Sequence, residues 1–174
     1  MKKLWMYFPF LLVTAIIISG CTLKKNQEKE DIAAINKFYV DYLHFVETGD
    51  LDGFMTLWDD NAMRAAPDLP NTVGKEEIRA LFKDIFDASD NKLTPIEEIR
   101  LEVCGDIAYG YRTFTLTSNF KKDETVMQID FKVLSIFKRK PDGSWKLYID
   151  CLNTNPTWSM DSIPSELKED NPFY

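Results

Sequence analysis

The sequence predicts an α+β domain in which three amphipathic helices cover one face of a curved antiparallel sheet. Between Asp31 and Phe86 apolar residues recur at three- and four-residue spacing, as one face of a helix requires, and from Ile96 the period switches to long β-rich runs joined by tight polar turns. Length gives the third observation. Once a leader of 20 residues is set aside, about 150 residues remain, enough for one domain with a sizeable core and too few for two.

The leader opens with Lys2 and Lys3, runs apolar from Leu4 to Ile18 and ends in Ser19-Gly20-Cys21. A basic head, an apolar segment of this length and small residues before a cut describe an export signal, and the run is short for a transmembrane helix. It resembles a bacterial lipoprotein signal peptide, with Ile18-Ser19-Gly20-Cys21 as the lipobox. That resemblance implies lipid transfer to the Cys21 sulfur, cleavage before Cys21, acylation (palmitate or similar) of the new amino terminus, and a cell-membrane or outer-membrane address facing the extracytoplasmic space. Several acyl chains anchor far better than one, since each buried methylene contributes about 0.8 kcal/mol. An uncleaved anchor helix and a secreted protein cut before an incidental cysteine are the alternatives.

The whole chain carries 21 Lys+Arg against 28 Asp+Glu, and loss of residues 1–20 removes two lysines and no acid, leaving a mature net charge of −9. An acidic domain repels phosphate backbones, so no nucleic acid is expected as a partner. Residues 21–30 form the lipidated cysteine and a charged stretch with the composition of a solvated tether. The domain proper spans 31–156, and 157–174 is an irregular tail whose Trp158 and Phe173 could pack back on the body.

The first helix begins at Asp31 and buries Ile32, Ile35, Phe38, Tyr39, Tyr42, Phe45 and Val46; His44, half a turn from that stripe, faces solvent. His44 is the one histidine. Base catalysis by imidazole therefore has no candidate. Gly49-Asp50 ends this helix, and Asp50 caps a second from Leu51 to Trp58. Asp59-Asp60-Asn61 then breaks the chain; the acid pair ends a helix rather than holding a cation. A short strand follows from Asn61 to Ala66, a loop from Pro67 to Gly74, and a third helix from Lys75 to Phe86 with Ile78, Leu81, Phe82 and Ile85 inward and Glu76 and Glu77 in its first turn. Strands run Ile96–Cys104, Ile107–Phe120, Thr125–Lys138 and Ser144–Asn153, an antiparallel meander. Cys104 and Cys151, in apolar strand surroundings, read as buried reduced thiols, with a disulfide as the alternative. No CxxC, Cys/His cluster or HExxH occurs, so no metal or organic cofactor is expected.

Helices covering one face of such a sheet leave a conical hollow. From Asp31 to Pro156 the chain resembles the nuclear-transport-factor-2-like superfamily, and within it the SnoaL-like and ketosteroid-isomerase-like proteins. The words that carry the resemblance are YLHFVETGD, with Tyr42 eight residues before Asp50; LWDDNAM; a proline loop running into Gly74-Lys75-Glu76-Glu77-Ile78; and KRKPDGSWKLYIDCLN. Steroid-isomerase chemistry in that superfamily, a worked example of pKa tuning, uses a carboxylate base before the loop proline and an oxyanion hole of a tyrosine and a protonated acid. Tyr42 matches the tyrosine. Ala65 and Ala66 precede Pro67, and the acid position falls near Val133, so that enolisation machinery is absent.

What the resemblance leaves is a mostly apolar pocket. If the last strand turns Tyr148, Asp150 and Leu152 inward, Asp150 is a carboxylate aimed into the cone with Asn153 at its rim; an Arg112–Asp150 ion pair is the structural alternative. On the neighbouring strand Ile129, Phe131, Val133, Ser135 and Phe137 alternate inward and Asp130 and Lys132 outward. Tyr39, Tyr42, Trp58, Met63, Tyr111 and Phe131 would line the cavity with Val133, or else simply fill the core. The outward face, with Leu134 and Ile136, is more apolar than solvent requires, and the resemblance implies pairing into a homodimer there. Two functions follow: a non-catalytic envelope lipoprotein binding a small apolar or amphipathic molecule or a protein partner, and a SnoaL-like isomerase, lyase or hydrolase using Asp150 as acid or base with Tyr42 as hydrogen-bond donor.

Overall fold

The computed structural model describes residues 8–67 and 69–154, with side chains described from residue 26 and not at positions 98 and 99. The lipobox, Cys21 and the tail from 157 onward lie outside the described residues or side chains. Among the described residues no helix is long and apolar enough to cross a membrane.

Helix α1 is Phe8–Thr48. The stretch expected as a solvated tether continues this helix, with residues 26–30 exposed and Gln27 Nε2 donating to Asp31 Oδ1 at 3.2 Å. Ile35, Phe38 and Val46 form its buried face and His44 is exposed, as the periodicity requires. Gly49, with φ +67°, turns the chain left-handed, and the Asp50 amide returns to the Phe45 carbonyl at 3.0 Å. Asp50 then caps α2, Leu51–Thr56, by accepting from the Gly53 amide at 2.9 Å.

The second helix stops two residues short of its expected end, and strand β1, Trp58–Ala65, takes in the Asp59-Asp60-Asn61 run that the sequence reads as a break. Partner charges explain this. Asp59, 4% exposed, accepts from Lys140 Nζ at 2.9 Å and from the Asn61 amide at 3.0 Å, while Asp60 lies 3.6 Å from Lys75. Within the expected loop a two-residue strand, β2 (Thr72–Val73), pairs with β1. Helix α3, Lys75–Ala88, buries Ile78, Phe82 and Phe86, with Leu81 and Ile85 half-buried. Glu77 Oε2 reaches back to the Val73 amide at 3.2 Å, satisfying a donor at the helix start where Gly74 offers no side chain.

Strand β3, Ser89–Cys104, starts seven residues before the expected boundary. Its opening is polar and buried: Asn91 Oδ1 accepts from Ser118 Oγ at 2.6 Å and from Ser89 Oγ at 3.2 Å, and β4 (Ile107–Phe120) pairs along its whole length. Pro95 is tolerated because β3 is an edge strand. Strands β5 (Val126–Arg139) and β6 (Trp145–Thr154) complete the meander, and β1 adds to β6 in parallel, giving the order β2-β1-β6-β5-β4-β3. Register shifts in β1/β6, β3/β4 and β5/β6 bend the sheet.

The core lies between the sheet and the three helices. Phe54, fully buried, meets Phe82 at 4.4 Å, Tyr42 at 5.0 Å and Trp58 at 5.9 Å between ring centroids. Cys104 and Cys151, expected buried, are free and exposed: the first ends β3 beside the Gly105 turn, and the second lies on the outward face opposite Leu134.

Candidate functional site

A pocket of about 210 Å³ opens between α1 and the sheet. Helix α1 supplies Phe38, Tyr39, Tyr42 and Leu43; β3 supplies Leu93, Pro95, Ile96 and Glu97; β4 supplies Arg112, Thr113 and Phe114. Its floor is Val133, Ser135, Leu147 and Asp150 from β5 and β6, all at most 5% exposed, whereas Ile96 at the mouth is 58% exposed. An apolar cavity of about 150 Å³ holds a benzene ring, so this one takes a ligand of one ring or a short branched chain.

Asp150 reaches the floor through a β-bulge. Phe137 pairs with Leu147 but Ile136 pairs with Ile149, so one extra residue, Tyr148, sits on β6. The strict alternation expected for this strand is broken there. Leu147 and Asp150 both turn inward, and Tyr148 turns outward under Lys138, whose Nζ lies 3.8 Å from the ring centroid. Asn153 is exposed and pairs with Lys132, away from the rim.

The register lines up Arg64 on β1, Asp150 on β6, Ser135 on β5 and Gly110 on β4 as one inner rung. Ser135 Oγ donates to Asp150 Oδ1 at 2.9 Å. Burial pushes the Asp150 carboxyl pKa up, against smaller opposing effects of the Arg64 charge and the Ser135 bond. The Arg112–Asp150 ion pair, the structural alternative for this carboxylate, is not formed. Arg112 lies 3.6 Å over the Tyr39 ring and its Nη2 donates to Asn36 Oδ1 at 2.9 Å, binding α1 to β4 at the mouth.

Two tyrosines face the same floor. Burial raises the Tyr42 hydroxyl pKa, and the Asp150 charge adds to it, while burial takes Tyr39 up to about 12. Both remain protonated donors across the physiological range. Gly110 makes room for one of them: a Cβ there would stand 2.8 Å from Tyr39 Oη. The ring cannot retreat freely, since Phe38 and Phe137 pack edge-on at 5.8 and 5.6 Å. Gly110→Ala is therefore expected to destabilise the fold by about 1–3 kcal/mol. Thermal melts of Gly110→Ala and of the Gly110→Ala, Tyr39→Phe double variant test this, the second losing less than the first because the obstructing oxygen is gone.

Of the residues expected around the cavity, Tyr39, Tyr42, Val133 and Asp150 line it. Trp58, 1% exposed, is core, packed on Phe54 and on Phe82. Met63 lies on β1 opposite Val73 and Ile149. Tyr111 takes the position between inward Gly110 and Arg112 and so belongs to the outer row opposite Leu134, and Phe131 packs on Phe114 at 5.7 Å without reaching the pocket. The sequence reading missed Arg64 and the β3 wall. Arg64 carried a signal, a lone cation in the short strand Asn61–Ala66 at the same parity as buried Ala62.

Among the described residues no cluster of His, Cys, Asp and Glu could hold a metal ion. A family model described as a SnoaL-like domain matches residues 35–149. No functionally curated relative matches the chain. Among solved structures, a conserved protein from Planctomyces limnophilus is similar at 19% identity and TM-score 0.67, covering 73% of this chain and 99% of its own. A ketosteroid isomerase-like protein from Erwinia carotovora atroseptica shares 21% identity at TM-score 0.62, covering 73% and 98%. A hexachlorocyclohexane dehydrochlorinase from Novosphingobium barchaimii shares 22% at TM-score 0.64, covering 77% and 92%. At these identities the likeness establishes the cone-shaped fold.

Proposed function

The chain belongs to the SnoaL-like family, and from that premise we propose that its cone binds one small, uncharged, largely apolar molecule at the Asp150 floor, in a domain held at the envelope membrane by lipidated Cys21. The carrying observation is the pocket itself: apolar walls converge on a buried carboxyl group whose pKa burial pushes up, flanked by two tyrosine hydroxyls. Such a floor offers hydrogen bonds to a carbonyl or ether oxygen and penalises a carboxylate ligand. The role is binding without turnover, because Ala66 stands where isomerase relatives carry their base. The outward rows Tyr111–Leu134–Cys151 and Tyr109–Ile136–Ile149 would carry the homodimer.

Native mass spectrometry of the full-length protein, gently extracted in detergent, tests both parts. A co-purifying compound of one per chain supports the pocket, and an intact mass beginning at acylated Cys21 supports the anchor. Added single-ring carbonyl compounds at 100 Kd are expected to raise the melting temperature by roughly 5–10 °C. A clean apo mass with no thermal shift across the panel removes the ligand reading.

One observation favours catalysis instead. Asp150, with its raised pKa, and Tyr42 line the same cavity, the pairing that acid/base chemistry with a supporting donor needs. The dehydrochlorinase neighbour shows that this fold hosts elimination chemistry. In that reading Asp150 moves the proton and Tyr42 steadies the developing charge.

A further inference from the structure

Asp150 is flanked on its own rung by two residues, Ser135 on β5 and Arg64 on β1. Ser135 is bonded to it. Arg64 is not: among the described residues its guanidinium forms no ion pair, lies over the Phe82 ring with 5.4 Å between Cζ and the centroid, and has a buried Nε without a hydrogen bond. Residues paired across parallel strands point to the same face, so a half-buried cation and a buried carboxyl group stand side by side while the cation is drawn off toward α3.

We propose that Arg64 is the positioning residue for Asp150: stacked on Phe82 it leaves the carboxyl group without a charged partner, and turned toward β6 it pairs with the carboxylate, so the placement of the Arg64 side chain sets the charge environment of the group that the pocket presents to its ligand. This rests on the pocket reading above. Phe82 is 6% exposed and fixed by Phe54 and Phe86, so the stacking platform does not move with the ligand. The guanidinium is delocalised and weakly hydrated, which suits it to an aromatic face and to a carboxylate equally.

The other groups facing Asp150 do not substitute for Arg64. From α1 come Tyr42 and Tyr39, both neutral and both disfavouring a second negative charge; from β5 comes the Ser135 hydroxyl; from β4 the Arg112 charge falls on Tyr39. Arg64 is the cation whose charge acts on Asp150.

The test is a carbon-13 titration of the Asp150 side-chain carboxyl in the full-length protein, comparing wild type with Arg64→Met and Phe82→Leu. An opposite charge at close range moves a carboxylate by about one to three pH units. In Arg64→Met the midpoint is expected to rise, so that the ionised fraction at the wild-type midpoint falls from one half to below about one tenth. Phe82→Leu removes the platform and keeps most of the bulk; the freed guanidinium then pairs with Asp150, and the ionised fraction is expected to rise toward about nine tenths. Opposite shifts separate this role from general loosening of the core, which moves both variants toward an ordinary carboxylate. Shifts of one sign, or an unmoved midpoint in Phe82→Leu, overturn the proposal even where Arg64→Met fails to fold. A wild-type Asp150 that titrates like an exposed carboxylate overturns the pocket reading itself, and this proposal with it.

Discussion

Asp31→Ala is expected to destabilise the fold by about 3–5 kcal/mol, the usual effect of breaking one side of a buried ion pair. Asp31 is 3% exposed at the point where α1 meets the sheet. It accepts from Arg139 Nη2 at 2.6 Å and from Trp145 Nε1 at 3.3 Å, and Arg139 in turn lies over the Trp145 ring and donates to Asp106 at 3.2 Å. Removing the carboxylate leaves Arg139 with the exposed Asp106 and the Gly105 carbonyl at 3.3 Å, and Trp145 with a buried donor. For a domain of this size the loss corresponds to a melting temperature lower by roughly 10 °C or more. Asp31→Asn, which keeps one acceptor, is expected to lose less.

The same pair fixes the acid limb of stability. The Arg139 hydrogen bonds hold the Asp31 pKa below its ordinary value, so its contribution is present above the unfolded carboxylate range and is lost as pH falls through the folded value. Asp59 acts in the same direction: burial raises its pKa, but the Lys140 bond and the Asn61 amide outweigh it. Melts from pH 7 down to pH 2 should show wild type and Asp31→Ala converging in acid. A constant gap across that range excludes the carboxylate as the cause.

Local signals in this chain were legible and non-local ones were not. Helix α1's buried face, the Gly49-Asp50 junction and the acid-rich start of α3 follow from spacing and capping within a few residues. Asp59 looked like a helix breaker because its neutralising partner, Lys140, lies 81 residues away. The start of β3 was hidden for the same reason: Ser89 and Asn91 read as loop until Ser118 from the next strand completes their hydrogen bonds. The site was legible in part. Asp150 faces inward as expected, but a bulge at Tyr148 puts it there, and strict alternation carried Tyr148 to the wrong face. For Trp58 spacing left cavity wall and core filling both open; the strand it begins carries it into the core. Which cation accompanies Asp150 depended on strand order. The parallel β1–β6 pairing, invisible in sequence, brings Arg64 to it and leaves Arg112 at the mouth.

Asp150→Asn is expected to stabilise the protein at neutral pH while separating the two readings of the pocket. Folding raises the Asp150 pKa, so below the unfolded value near 3.9 the wild type has its full stability, and it loses stability as pH rises through the folded value. Asparagine keeps the shape and carries no charge to desolvate. The variant should therefore be more stable than wild type at pH 7–8 and melt at a higher temperature there, with the difference vanishing near pH 4. A variant less stable than wild type at every pH would instead make the Ser135 bond to a charged carboxylate the dominant interaction. If the cone only binds, the amide still offers a donor to a ligand oxygen, and affinity is expected to stay within about tenfold. If Asp150 moves a proton, turnover is expected to fall about 10²–10⁴-fold in the same, more stable protein. Because stability and turnover then move in opposite directions, loss of folding cannot account for loss of activity.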